Sequence, residues 1–291
     1  MSTQQFNIAT AQTWFSLLRA RFAEKMDRLN ELDSAVGDGD HGHTVARAFA
    51  AVETAVLTPF SDLGTLFDAA AAALAESSGG AIGPLLASLF AEGGVVFKGE
   101  SGVETAVIAQ FFAGGLAAIQ AVGGAKPGQK TMLDALAPAV DSLQTHANSD
   151  LATALTAAAN TAEKGAISTR DMIATHGRAH FLGDRSQGYQ DAGATSMSIM
   201  IASLLDAVKG ETAPPTAPLT DTTQSLPPGK LINHPDTMIA EELEGLAMAH
   251  PKLVKLAQPF ILTRAVPKAT GKVGLAIGHG GGHTPSMGGF V

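Results

Sequence analysis

The sequence predicts an all-α domain, a bundle of eight helices, followed by a linker and an incomplete α/β segment. Three observations carry this. Residues 1–209 repeat apolar side chains at three- and four-residue spacing, as in Trp14, Leu17, Leu18 and Phe22, without strand-like alternation. Residues 210–229 hold Pro214, Pro215, Pro218, Pro227 and Pro228 with several Thr and almost no large apolar group, the composition of an extended linker. Residues 230–291 place an apolar run directly before a Gly-rich loop, as at the opening of an α/β unit.

The periodicity places the helices at about 6–32, 43–57, 62–77, 83–97, 103–122, 131–146, 150–175 and 193–209. The breaks between them carry Gly, Pro, Ser or Asp. In the tail a helix is expected over 235–249. Two apolar runs follow, Phe260-Ile-Leu-Thr263 and Val273-Gly-Leu-Ala-Ile277, and the second leads into Gly278-His-Gly-Gly-Gly-His-Thr-Pro285. One or two strands cannot bury both faces of a parallel sheet. The tail is therefore expected to be the start of a domain that further residues, or another chain, complete.

The chain has 291 residues, 45% hydrophobic, so it can bury a sizeable core. Ala and Gly are abundant and aromatics make up 5%, which favours closely packed helices over a large aromatic core. The net charge of −8, with no basic block, argues against nucleic acid as the main partner. An anionic substrate must be met by metal ions, helix N-termini or single Lys and Arg residues. The absence of Cys excludes disulfides and thiolate metal sites. Met-Ser-Thr-Gln-Gln-Phe lacks the pattern of a signal peptide, and no apolar run is expected to span a membrane. A cytoplasmic protein without membrane partners is the expectation.

The most informative stretch is Asp33-Ser-Ala-Val-Gly-Asp-Gly-Asp-His-Gly-His43. Asp33, Asp38 and Asp40 fall within eight residues, and such crowding of like charge is unfavourable unless a cation neutralises it. Mg2+ and Ca2+ take oxygen ligands and are the natural partners. On a straight helix Asp33 and Asp40 would share a face and Asp38 would point elsewhere. Gly37, Gly39 and Gly42 break the helix and let all three converge. The alternative is a solvated acidic loop capping the helix that begins near Gly42. It is not a helix-loop-helix Ca2+ site, because the twelfth-position Glu is absent.

Four other places carry chemistry. Ser77-Ser-Gly-Gly-Ala-Ile-Gly-Pro84 precedes the fourth helix, and free backbone N–H groups there can hold a phosphate. A tight turn between packed helices explains the same residues. Thr131 and Asp134 resemble a capping box, and capping alone accounts for both; the other reading adds Thr131 to a nucleotide site. The stretch 177–193 is Gly-rich, aperiodic and carries Arg178, Asp184, Arg185 and Asp191, as a lid or binding loop does, or a solvated connection. Arg178 or Arg185 could meet phosphate oxygens. His283, in the tail's Gly-rich loop, could act as a general base for a hydroxyl group. His41 fits a metal neighbour, a substrate contact or a hydrogen-bonded loop His.

Taken in order, Leu32-Asp-Ser-Ala-Val-Gly-Asp-Gly-Asp-His-Gly42, Gly79-Gly-Ala-Ile-Gly-Pro84, Lys130-Thr-Met-Leu-Asp134 and Gly177-Arg through Asp191-Ala-Gly-Ala-Thr-Ser196 resemble the nucleotide-binding L subunit, or L domain, of the dihydroxyacetone kinase family. The resemblance covers residues 1 to about 209 and implies an eight-helix antiparallel barrel. It implies that Asp33, Asp38 and Asp40 hold two Mg2+ ions, which in turn hold the phosphates of ADP or ATP. It also implies nucleotide contacts from His41, Thr44, Ser78, Gly79, Gly80, Ala81, Gly83, Thr131, Met132, Arg178, Asp191 and Gly193, with Arg178 a catalytic residue. Residues 230–291 resemble the first part of the family's ketose-binding K domain, through Lys230-Leu-Ile-Asn233, Ala249-His-Pro251, Leu262-Thr-Arg264 and Gly280-Gly-Gly-His-Thr-Pro285. His283 falls on that domain's catalytic His.

This sequence departs from the family pattern in several places. Ile82 stands for Ser, Gln129 for Asp and Ala192 for Pro; in the tail His279, Gly281, Thr284 and Met287 replace Gly, Ser, Glu and His. Ile82 removes a side-chain contact to phosphate and leaves backbone N–H donors. The tail changes surround the ketose site and admit a related ketose such as erythrulose beside dihydroxyacetone. The family's substrate-binding His lies far downstream, beyond residue 291. The resemblance implies ATP-dependent phosphorylation of a small ketose, with this chain supplying the Mg-nucleotide site beside a K-type domain, in a homo-oligomer. Two other functions stay open: a subunit that holds ADP and is rephosphorylated by a phosphohistidine protein, and a two-metal phosphohydrolase.

Overall fold

The computed structural model describes residues 5–77, 80–214, 235–258 and 261–266. The chain divides into two compact units, Met1–Leu219 and Thr220–Val291.

The first unit is a closed ring of helices. Asn7 opens it, accepting the Thr10 N–H at 3.0 Å as the N-cap of α1 (Ile8–Glu24). The helix expected over 6–32 is in fact two, because Lys25 (φ −97°, ψ 7°) leaves helical geometry and α2 (Met26–Ser34) starts anew. Then come α3 (His41–Val56), α4 (Leu63–Ser77), α5 (Ile82–Val96), α6 (Thr105–Gly123), α7 (Leu133–Thr145), α8 (Leu151–Ser168) and α9 (Ala192–Val208). The expected 150–175 helix ends seven residues early, where Thr169–Asp171 tightens into a 3-10 turn. A short antiparallel pair, β1 (Phe6–Asn7) with β2 (Gly102–Val103), ties the chain start to the α5–α6 connection.

Neighbours in sequence are neighbours in space from α3 to α9, and α1 closes the ring between α9 and α3. Trp14 Nε1 donates to the Met200 carbonyl at 3.0 Å across the α1–α9 seam. Arg19 pairs with Glu53 of α3 at 2.9 Å and Arg21 with Asp206 of α9 at 2.5 Å. Successive helices run antiparallel. The start of α4 meets the end of α5, with Leu63 N–H on the Glu100 carbonyl at 2.8 Å and Gly64 N–H on that of Phe97 at 3.1 Å. One end of the ring therefore gathers the starts of α3, α5, α7 and α9 with the ends of α2, α4, α6 and α8.

The core departs from the composition-based expectation. Aromatic residues are few but clustered: Phe67 sits 4.8 Å from Phe97, 5.3 Å from Phe111 and 5.7 Å from Phe15 between ring centroids, with Trp14, Phe6 and Phe90 around them. The α7–α9 side is packed instead with Ala and Leu, as expected of small side chains. The expectation about membrane spans also needs correction: α6 is long and apolar enough to cross a membrane by length and composition. Its Ile108, Phe111, Phe112 and Ile119 are buried in the ring's core.

In the second unit α10 (Pro235–Ala249) matches the expected helix. Strand β3 (Val254–Gln258) pairs antiparallel with β4 (Ile261–Arg264), Leu256 opposite Leu262. The first expected apolar run is thus a strand. Its partner β3 carries the alternation Val254, Leu256. Val273–Ile277 and the Gly-rich loop lie outside the described residues.

Candidate functional site

At the gathered end of the ring, the loop from α2 to α3 curls around Asp33. Its Oδ2 accepts the Gly39 N–H at 2.7 Å and the Asp40 N–H at 3.1 Å. Gly39 sits at φ +79°, a conformation that side chains disfavour, and this closes the curl. As a result one carboxylate oxygen from each of Asp33, Asp38 and Asp40 lies within 4.8 Å of the others. Asp38 and Asp40 are exposed and Asp33 half-buried. The capping of α3 comes from Asn30, one turn before Asp33. Its Oδ1 accepts the N–H groups of Gly42 at 2.8 Å and His43 at 3.2 Å, and its amide meets His43 Nδ1 at 2.7 Å. Asn30 therefore caps α3 from the preceding helix, and Asp40 makes no side-chain cap bond. The donor set of the cluster is entirely carboxylate oxygen, which fits a hard divalent cation such as Mg2+.

Several of the expected site residues converge on this loop. Arg178 forms an ion pair with Asp38. His41 Nε2 lies 2.7 Å from Ser196 Oγ of α9, so His41 is a hydrogen-bonded link between α3 and α9. Burial holds its pKa below the ordinary value, against the opposing pull of Asp33 and Asp40, and keeps the ring neutral at pH 7. Thr44, one turn along α3, is buried.

Asp191 caps α9, its Oδ2 accepting the Ala194 N–H at 2.6 Å. A Cβ on Gly193 would stand 3.1 Å from Asp191 Oδ2 and 3.6 Å from the Met132 nitrogen, so the starts of α9 and α7 adjoin. At α7, Asp134 Oδ2 accepts the Thr131 N–H at 2.7 Å, while Thr131 Oγ1 accepts that of Leu133 at 3.2 Å. This is the reciprocal capping that the spacing suggested, shifted by one position on the Thr side. Asp134 also accepts the Gly128 N–H, which folds the preceding loop onto the helix start.

The remaining expected residues stand apart from these contacts. Gly80 (φ +75°), Ala81 and buried Gly83 form the start of α5, with Pro84 in its first turn. Ile82 packs against the hydrophobic core. Topology places this helix start at the same end of the ring as the acidic loop. Arg185 is exposed in the last turn of the 3-10 segment Arg178–Ser186. Ser78, Gly79 and His283 lie outside the described residues. Sequence reasoning assigned no role to Asn30, Ser196 or Lys130. Asn30 and Ser196 are joined to the site only across helices, and Lys130 is the one non-Gly residue at positive φ among the described residues.

Burial pushes the Asp191 carboxyl up to about 7 from 3.8, outweighing the Ala194 N–H and Lys130, which favour its charged form. The native state then holds this proton between about pH 3.8 and 7 while the unfolded chain releases it, so the Asp191 contribution to stability falls as pH rises through that window. Asp191→Asn keeps the cap acceptor and removes the titration. Its urea midpoint relative to the parent is expected to climb from pH 4 to about pH 7 and level off above. A pH-independent difference would refute this.

An acidic, oxygen-only cluster thus lies at one end of a closed helical ring, flanked by an Arg and several helix starts, and its donor chemistry suits a divalent cation. The chain belongs to the DAK2-domain family, whose model matches residues 35–206. It is 35% identical over 199 residues to the ADP-binding subunit of the PEP-dependent dihydroxyacetone kinase of Escherichia coli, covering 67% of this chain and 95% of that subunit. It is 33% identical to the D-erythrulose kinase of Mycolicibacterium smegmatis, but over 34% of that longer protein. Among solved structures, the dihydroxyacetone kinase of Citrobacter freundii in complex with AMP-PNP and Mg2+ aligns with a TM-score of 0.54 at 28% identity, covering 67% of this chain and 33% of that one. The chain thus spans nearly all of that ADP-binding subunit and about a third of the longer kinases.

Proposed function

We propose that this chain is the nucleotide-binding component of a ketose kinase. The observation that carries the reading is the convergence of Asp33, Asp38 and Asp40 with Arg178, beside the adjoining starts of α7 and α9. Relatives named for ADP binding and for kinase activity on dihydroxyacetone and erythrulose support it.

Asp33, Asp38 and Asp40 would hold Mg2+, two ions by the family resemblance. The cation would neutralise the charge that builds on the transferring phosphoryl group. The backbone N–H groups at the α5 start, from Gly80 to Gly83, would bind phosphate oxygens without help from a side chain at position 82, and the family resemblance adds Ser78 and Gly79 to them. Arg178 would move from Asp38 toward the phosphates when the cation takes over that carboxylate, and with Arg185 its segment would exclude water, the competing acceptor. His41, held neutral and oriented by Ser196, would contact the ligand as a hydrogen-bonding group. Thr44, Thr131, Met132, Asp191 and Gly193 would shape the rest of the nucleotide pocket. His283, in a K-type domain, would accept the proton of the ketose hydroxyl.

The match to nearly the whole length of proteins named as ADP-binding subunits favours a second reading, a subunit that retains ADP and is rephosphorylated in place. One assay separates them. The full chain, a complete ketose-binding domain, Mg-ATP and dihydroxyacetone or erythrulose are combined, and sugar phosphate is measured. Turnover with ATP supports the kinase component. ADP that survives gel filtration, with no transfer from ATP, supports the carrier. Phosphate release without sugar would contradict both.

A further inference from the structure

Lys130 is buried, 2% exposed, and among the described residues its ammonium forms no ion pair, although Asp191, Asp134 and Asp171 are near enough to favour its charged form. Instead Nζ donates to two backbone carbonyls, those of Thr169 and Tyr189, each at 2.5 Å. Thr169 directly follows the last residue of α8, where unpaired carbonyls carry the negative end of the helix dipole. Tyr189 lies two residues before Asp191. The two acceptors therefore mark the two feet of the 169–191 segment, which bears Arg178 at its crest.

The feet are joined by other bonds as well. The Gly188 N–H reaches the Arg170 carbonyl at 2.7 Å, Gln187 Nε2 the Asp171 carbonyl at 3.0 Å, and the Asp191 N–H donates to Thr169 Oγ1 at 2.9 Å. Lys130 differs from these in coming from outside. It stands next to Thr131 and Met132, in a loop that Asp134 fastens through the N–H groups of Gly128 and Thr131. It also adopts φ +62°, which Gly or Asn would take with less strain. A buried charge and a left-handed backbone are both unfavourable locally. An apolar residue would avoid the first and Gly the second, and neither could span both carbonyls.

We infer that Lys130 is a positioning residue: it clamps the feet of the 169–191 segment to the start of α7, so that Arg178 and Asp191 face the same ligand as Thr131 and Met132. This rests on the functional reading above. The test uses the full chain with Lys130→Met and Lys130→Arg, read by Mg-ADP calorimetry and by trypsin cleavage after Arg178 and Arg185.

For Lys130→Met, the Mg-ADP Kd is expected to rise about tenfold, the scale on which groups supporting a binding shell act. Cleavage after Arg178 and Arg185 should quicken selectively and lose its protection by Mg-ADP, while Lys130→Arg restores both. A lower melting temperature with unchanged affinity and cleavage would show a merely structural lysine and overturn the assignment. Should Lys130→Met fail to fold, Lys130→Gln, which keeps two donors without the charge, takes its place under the same criteria. If the unsubstituted chain binds no Mg-ADP, the functional reading fails, while the cleavage pattern still decides whether the clamp exists.

Discussion

Asp33→Asn is expected to weaken Mg2+-dependent ADP binding by about 100-fold or more, since groups that merely support metal ligands are already worth about 10–100-fold. Asp33 acts twice. Its charge contributes to the acidic cluster, and its Oδ2 organises the loop by accepting the N–H groups of Gly39 and Asp40. Asn can still accept a backbone N–H but supplies no charge to a hard cation. Asp33→Ala removes both functions and should bind more weakly still, with some loss of stability as the curled loop opens. Asp38→Asn provides the contrast: the Asp38 carboxylate engages the Arg178 side chain, so its loss should lower affinity with little change in melting temperature. Binding by Asp33→Asn within twofold of the parent would remove the acidic loop from the nucleotide site.

The second large effect is expected at Gly42. A Cβ there would stand 2.0 Å from the Met26 carbonyl oxygen, which belongs to the backbone of α2 and cannot swing aside. Gly42→Ala must push α2 and α3 apart. It should destabilise the domain by about 1–3 kcal/mol, the usual range for overpacking. At about 2–4 °C per kcal/mol for a domain of this size, the melting temperature should fall by several degrees. The displacement also breaks the bonds of Asn30 to Gly42 and His43, which set where Asp40 and His41 emerge. Affinity for Mg-ADP should therefore fall together with stability. A melting temperature within 1 °C of the parent would contradict a close approach of Gly42 to the Met26 carbonyl.

Much of this was legible from local pattern. Helix positions followed apolar spacing and Gly or Pro breaks, and the acidic loop announced itself through three carboxylates among glycines. The failures share a cause, which is contact between residues distant in sequence. Nothing around Lys25 breaks a helix, and the division of α1 from α2 matters only because α2 must pass against Gly42. Met172 and Ile173 extend the apolar pattern beyond Ser168, yet the helix stops there, with the Thr169 carbonyl taken by Lys130. The scatter of Phe residues through the sequence gave no sign that Phe6, Phe15, Phe90, Phe97 and Phe111 would meet around Phe67. His41 was ambiguous until Ser196, 155 positions away, proved to be its partner. Asn30 was invisible as a cap because caps are sought next to the helix they serve.

The most direct test of the central claim is a calorimetric titration of the full chain with ADP, once with Mg2+ and once with EDTA. Saturable one-to-one binding that requires Mg2+, and that vanishes in Asp38→Ala, is the predicted result. Equal binding with and without the metal, or none in either, would contradict a nucleotide site built on Asp33, Asp38 and Asp40.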